Sequence, residues 1–171
     1  MSSCWGSVCL LVFLGAAFVS GKPCLYIGET LKESHEYISN VLSLKGQDVG
    51  LDPLFSDVIR SNSSLQIKVN LINATLEVYS RIFSSILRQD NQGLLENLSE
   101  TDRKKVTKKV EDFEKKIERL MNKLGHVNHD KENILSKLQK IQVDDPLVQK
   151  KALAEFKEVF QAANVIICPE C

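Results

Sequence analysis

The feature that most constrains this chain is the run at residues 65–87, LQIKVNLINATLEVYSRIFSSIL. At about 100° per residue, Leu65, Val69, Ile72, Leu76, Tyr79, Phe83, Ile86 and Leu87 share one helical face. Ile67, Leu71, Val78 and Ile82 line an adjoining face. Only a narrow strip is polar: Gln66, Asn70, Asn73, Glu77, Ser80, Arg81, Ser84 and Arg88. A helix apolar over most of its circumference must be surrounded by other helices. Lys68, Glu77 and Arg81 interrupt the run, which excludes a bilayer span. The rest of the chain is therefore expected to wrap this helix.

The chain has 171 residues, is 43% hydrophobic and carries 22 Lys+Arg against 22 Asp+Glu. That suits one globular domain and argues against a dedicated nucleic-acid binder. Residues 1–21, MSSCWGSVCLLVFLGAAFVSG, read as a secretory signal peptide. The apolar stretch 8–19 is too short to span a bilayer, and Val19 and Gly21 are small enough for the cleavage positions. The expectation is a secreted, extracellular product without membrane insertion. Its domain is expected over 22–164, with a short apolar tail at 165–171.

Cys4 and Cys9 leave with the signal, so Cys24, Cys168 and Cys171 remain, at the two ends. In an oxidising compartment a Cys24–Cys168 or Cys24–Cys171 bond ties the termini together. The third thiol is then left free or for an intermolecular bridge. Cys168-Pro-Glu-Cys171 has redox-motif spacing, but no strand–helix pattern precedes it, so thioredoxin-like chemistry is not expected.

Along the chain, Thr30-Leu-Lys-Glu33 fits a capping box and predicts a first helix ending near Lys45-Gly46, with Leu31, Ile38 and Leu42 buried. His35 sits at the edge of that stripe and is expected to be half-buried and hydrogen-bonded. Residues 47–52, QDVGLD, read as a loop. Asp52-Pro53 predicts a cap and a short helix over 53–59. Ser63 or Ser64 then caps the central helix, and residues 90–93 close it. Leu94, Leu95 and Leu98 suit one or two turns. Ser99 or Thr101 caps a long helix with a core stripe of Val106, Val110, Phe113, Ile117, Leu120 and Leu124, ended by Gly125. Ile134, Leu135, Leu138 and Ile141 mark another short helix. Asp145-Pro146 opens the last one, over 147–164. No run combines a strand period with hairpin turns, so the fold class is all-α, five to six helices packed as a bundle.

Three sequons occur, at Asn62, Asn73 and Asn97. Asn73 lies mid-way along the most buried helix but within its polar strip, so the strip is expected to face solvent and Asn73 to accept a glycan. Lys104, Lys105, Lys108 and Lys109 form the one basic cluster, on an arc opposite Val106 and Val110. Such a patch suits a sulfated glycan or an acidic receptor surface; the alternative is a solvated helix face. His126-x-x-His129-Asp130 has a metal-ligand spacing without a second cluster to support it, and no metal or other cofactor is expected. No Gly-rich phosphate loop, nucleophile elbow or acid–base constellation occurs, so the chain is not read as an enzyme.

At the last helix the sequence resembles a known family. Val148, Gln149, Lys150, Lys151 and Ala152, inside the stretch from Asp145 to Phe156, are similar to the V-Q-R-K-A signature of interferon gamma. The segment Val78-Tyr79-Ser80-Arg81-Ile82-Phe83 resembles the hydrophobic third helix of that family. Asp48-Val49 followed by Leu54-Phe55 resembles its first loop and short second helix. The chain departs from the family in ending Ile166-Ile-Cys-Pro-Glu-Cys171 rather than in a basic tail, and so looks closer to tail-less interferon-gamma-related forms.

The resemblance implies a six-helix cytokine that forms an intertwined homodimer. It would bind a class II cytokine receptor, the interferon-gamma receptor type, and activate JAK–STAT antiviral and macrophage responses. It places receptor contacts on Gln47, Asp48, Val49, Gly50, Leu51 and Asp52. A second copy also suits the central helix, which one chain's helices are expected to be too few to enclose. The alternatives are an interleukin-10-related helical cytokine and a secreted helical carrier of lipid or another small ligand.

Overall fold

The computed structural model describes residues 28–60, 64–88, 93–125 and 133–168. The fold of these residues is all-α, with no strand among them. In chain order the helices are α1 (Glu29–Val41), α2 (Gln47–Gly50), α3 (Ser56–Arg60), α4 (Leu65–Arg88), α5 (Glu100–Leu124), α6 (Asn133–Gln139) and α7 (Pro146–Ile167). A 3-10 turn, Gly93–Leu95, lies between α4 and α5.

Local chemistry sets most of the boundaries. The Ser99 hydroxyl accepts from the Asp102 amide at 3.1 Å and donates to the Asp102 carboxylate at 2.7 Å, closing the start of α5. Gly125 ends that helix at φ 76, a conformation that side chains with a Cβ rarely adopt. Asp145 accepts from the Leu147 amide at 2.8 Å, with Pro146 in the first turn of α7.

Elsewhere the boundaries differ from the sequence expectations. The helix α1 starts at Glu29 behind Gly28, with no side-chain cap. Thr30 is thus already inside the helix and the Thr30–Glu33 capping box does not form. Residues 47–52 are not all loop: the amides of Val49 and Gly50 bond to the Gly46 carbonyl and make α2. Asp52 has φ 50 and lies in the left-handed region, so it does not cap a helix at Pro53, and α3 begins at Ser56. The last helix runs on through Ile167, because Ile166 and Ile167 continue its packing on the core.

The helix α4 packs against α3, α5, α6, α7 and the 3-10 turn, while α1 lies on α5 and α7. Leu71, Ile72, Leu76, Val78, Tyr79, Ile82, Phe83 and Ile86 are each no more than 2% exposed. The expectation that one chain's helices cannot enclose the central helix is therefore overturned. The enclosure is shared: α5 and α7, with α3, α6 and the 3-10 turn, cover the sides of α4 that the sequence leaves for a partner. Only the first turn of α4 stays open, with Leu65 at 68% exposure.

The polar strip of α4 is also corrected at one position. Gln66, Glu77, Arg81 and Arg88 are exposed, but Asn73 is only 5% exposed. It forms part of a cleft with Met121, Asn122 and Gly125, where the C-terminal end of α5 comes over it.

At the centre, the Phe156 ring of α7 stacks on Phe113 of α5, centroids 4.3 Å apart. It meets Tyr79 and Phe83 of α4 edge-on at 5.7 and 5.5 Å. Each such pair adds about 0.5–1.5 kcal/mol beyond its buried area. The Tyr79 hydroxyl donates to the Ala152 carbonyl at 2.9 Å, and burial pushes its pKa well above the ordinary phenol value. Gln149, fully buried, donates its amide to the Val143 carbonyl at 3.0 Å and to the Ser85 hydroxyl at 3.2 Å. Two polar contacts thus fix the register of α7 on α4.

Phe156→Ala is expected to lower unfolding free energy by about 3–5 kcal/mol, and Tyr79→Phe by about 1 kcal/mol, both read from urea titrations followed by circular dichroism. A cost for Phe156→Ala near that of a surface substitution would show that this ring is not the hub.

Candidate functional site

The segment joining α2 to α3 is short and rich in exposed backbone, so something outside it must hold its shape. Two side chains of α7 do. The Glu155 carboxylate accepts from the Leu54 amide at 2.7 Å and from the Phe55 amide at 2.9 Å. One turn earlier, the Lys151 ammonium donates to the Asp52 carbonyl at 3.2 Å. Phe55 is anchored below by its ring against Tyr79, at 4.8 Å. Burial pushes the Glu155 carboxyl above its ordinary value, against the opposing pull of the two amides.

On this support, Gln47, Asp48, Gly50, Leu51 and Asp52 are exposed. Leu51 is 63% exposed, one of few large apolar side chains so open among the described residues. The result is an exposed apolar tip flanked by the exposed acids Asp48 and Asp52. Val49 departs from the expectation for this group: it is buried, at 7% exposure, and anchors α2 instead of meeting a partner.

The basic cluster divides in two. Lys105 and Lys109 reach over the Tyr37 ring of α1, at 5.8 and 5.2 Å from its centroid. Lys109 also donates to the Ser34 hydroxyl at 3.2 Å. Lys104 and Lys108 lie on another side of α5, beside Leu87 and Leu95, and Lys104 pairs with Glu100 at 2.6 Å. The single arc expected opposite Val106 and Val110 is thus two faces, because α1 draws off one pair. At the start of the same helix, the hydroxyls of Ser99 and Tyr37 donate to Asp102 and hold its carboxyl below its ordinary value of 3.8.

Of the sequons, Asn97 is exposed in the bend before α5 and Asn73 is buried, while Asn62 lies outside the described residues. Cys168 is buried at the end of α7, and its candidate partners Cys24 and Cys171 lie outside the described residues. So do residues 1–21 and the spaced histidines His126 and His129; among the described residues no cluster of metal-ligating side chains occurs. No helix among them is long and apolar enough to cross a membrane. His35 is half-buried and donates to the carbonyls of Leu153 and Ala154 at 3.0 and 3.3 Å.

Sequence reasoning does not find the roles of Glu155, Lys151 or Tyr37. A carboxylate one residue from a core phenylalanine is the one available signal, since Glu155 must leave the core beside Phe156. No protein-family model matches the chain, and neither the curated proteins nor the solved structures return a match.

Glu155→Ala leaves two backbone amides without their acceptor, at a cost of about 1–3 kcal/mol. Amide exchange at Leu54 and Phe55 is expected to accelerate while that at Leu76 does not; unchanged exchange at all three would remove Glu155 as the clamp. For Asp102 the lowered carboxyl means a contribution present above the ordinary value of 3.8 and lost as pH falls through the folded-state value. The difference in urea midpoint between wild type and Asp102→Asn is therefore expected at neutral pH and expected to vanish in acid; a gap that widens in acid would contradict it.

Proposed function

We propose that the chain is a secreted, type II interferon-like cytokine. It binds the extracellular part of an interferon-gamma-receptor-type class II cytokine receptor and activates JAK–STAT immune and antiviral responses. It acts by binding and carries out no chemistry. What carries this reading is one observation: residues of the interferon-gamma-like stretch, Lys151 and Glu155, hold the segment that the resemblance assigns to the receptor. A rigid loop gives up less conformational entropy on binding, so affinity gains without added contacts.

In this reading the fold is a six-helix cytokine bundle with α2 as an extra single turn, and the functional unit is a homodimer. The dimer is no longer required to bury α4. It follows instead from exchange: the bed of α7 on α1, α4 and α5 accepts the same helix from a second copy with the same contacts, the usual route to an intertwined pair. Each docking loop would then be held by the other chain's Glu155, and two identical faces would bring two receptors together. Asn97 and Asn62 are the proposed glycan positions. Cys24, Cys168 and Cys171 are the disulfide candidates.

Neither alternative is favoured. A lipid carrier needs a chamber, and the space between α4, α5 and α7 is filled by the rings of Tyr79, Phe83, Phe113 and Phe156.

Surface plasmon resonance with the ectodomain of an interferon-gamma receptor is expected to show saturable binding that Leu51→Ala and Asp48→Ala each weaken about tenfold. Full affinity in both variants would refute the docking loop. Light scattering after size exclusion, with and without reductant, is expected to give twice the chain mass. A signalling-competent monomer would refute the exchanged dimer.

A further inference from the structure

The serine at position 34 carries a pattern that neither the core nor the docking loop uses. Ser34-His35-Glu36 places a carboxylate two residues after the hydroxyl, and no other serine of the chain has an acid there. Glu33 precedes it, so the hydroxyl stands between two acids along the chain. Such surroundings are what an acid-directed serine kinase reads. Glu33 and Glu36 are exposed on α1, and Ser34 is half-buried at the margin of that helix.

In the fold this hydroxyl meets charge of the opposite sign. The helices α1 and α5 run antiparallel along a seam. Tyr37 meets Asp102 and Lys105, Ser34 meets Lys109, and Thr30 shares a cleft with residues between Asp112 and Arg119. The Lys109 ammonium donates to the Ser34 hydroxyl at 3.2 Å. The cleft, of about 250 Å³, is lined by Ser34 with Lys115, Lys116 and Arg119, and by Asp112 as its one acid.

With Lys109, four cations stand here against one carboxylate. Among the described residues the ion pairs are Lys32–Glu29 and Lys104–Glu100, so no carboxylate in contact neutralises any of the four. An uncompensated excess of one sign works against the α1–α5 contact. A phosphoryl group brings about −1.5 to −2 charges at neutral pH and three strong acceptor oxygens. It adds four heavy atoms, and at about 30 Å³ per water oxygen the cleft has room for them.

We propose that Ser34 is a phosphorylation site and that Lys109, Lys116 and Arg119 receive the product. The serine oxygen bonds to the terminal phosphorus of ATP, and the bond from that phosphorus to the bridging oxygen breaks. ADP leaves, and the hydroxyl proton passes to the kinase. The dianion then replaces one ammonium contact with charge-assisted bonds to several cations of α5. The next residue, His35, already holds α1 to the Leu153 and Ala154 carbonyls of α7, so the modified helix is pinned to both neighbours. The site shares no residue with the docking loop and stands whether or not that loop meets a receptor. Only its encounter with a kinase of the secretory pathway rests on export.

The test treats the purified, folded full chain with ATP and a secretory-pathway casein kinase, then maps the modified peptide by mass spectrometry. Phosphate is expected on Ser34, absent in Ser34→Ala and reduced about tenfold in Glu36→Ala, the loss of one charged contact to the kinase. The cradle is read separately, by phosphorus NMR titration of the modified chain. A free phosphoserine has its second pKa at about 6, and the cations are expected to bring the midpoint to about 5. Lys116→Gln/Arg119→Gln is expected to keep the phosphate and return the midpoint towards about 6. Lys109→Gln gives the same readout should that pair lose helicity. Lys104→Gln/Lys108→Gln removes the same charge from another face of α5 and is expected to leave the midpoint lowered. A folded chain that takes no phosphate on Ser34, an unshifted midpoint in the modified wild type, or equal midpoints in the seam and control pairs would each overturn the proposal.

Discussion

The packing of α7 into the trough between α4 and α5 is the interaction on which the rest depends. One ring, Phe156, touches aromatic partners on both neighbours, and two polar contacts, Gln149 to the Ser85 hydroxyl and the Tyr79 hydroxyl to the Ala152 carbonyl, fix where the helix sits along α4. Dispersion and area burial give the energy, but they leave a greasy helix free to slide. The buried hydrogen bonds are satisfied only in one register, and so they select it. Everything displayed on the surface, from the α2–α3 segment to the α1–α5 seam, takes its position from that choice.

Much of this was legible in the sequence because it is periodic. The core stripe of α5, from Val106 to Leu120, and its cap at Ser99 and stop at Gly125 stand in the sequence as they do in the fold. So do the cap and proline that open α7. These signals are local, and local geometry decides them. What failed, beside the local caps at Thr30 and Asp52, were inferences that depended on how far a distant element reaches. Asn73 sits in a polar strip, yet the end of α5 covers it. The central helix reads as unenclosable because the sequence gives no measure of how much of its circumference the other helices can cover. The four clustered lysines look like one patch until α1 takes two of them.

The candidate site shows the same division. The exposed Leu51 and the acids beside it lie in a segment the sequence singles out by resemblance. Their scaffold lies in the other stretch that the resemblance marks, but nothing there ties it to this segment: Glu155 and Lys151 are about a hundred positions away along the chain. No local pattern marks a carboxylate as the acceptor for two remote backbone amides. Val49, which the resemblance groups with the contact residues, belongs to the scaffold too.

The clamp has a consequence for when the protein becomes competent. Ribosomes deliver the α2–α3 segment long before they deliver Glu155, so a nascent or C-terminally shortened polypeptide carries the loop's residues without the grip that shapes them. The shape of the segment is thereby made conditional on a finished product. A premature stop anywhere ahead of Glu155 yields a chain in which the amides of Leu54 and Phe55 never meet their acceptor, so the set of this one surface marks that synthesis has passed that point.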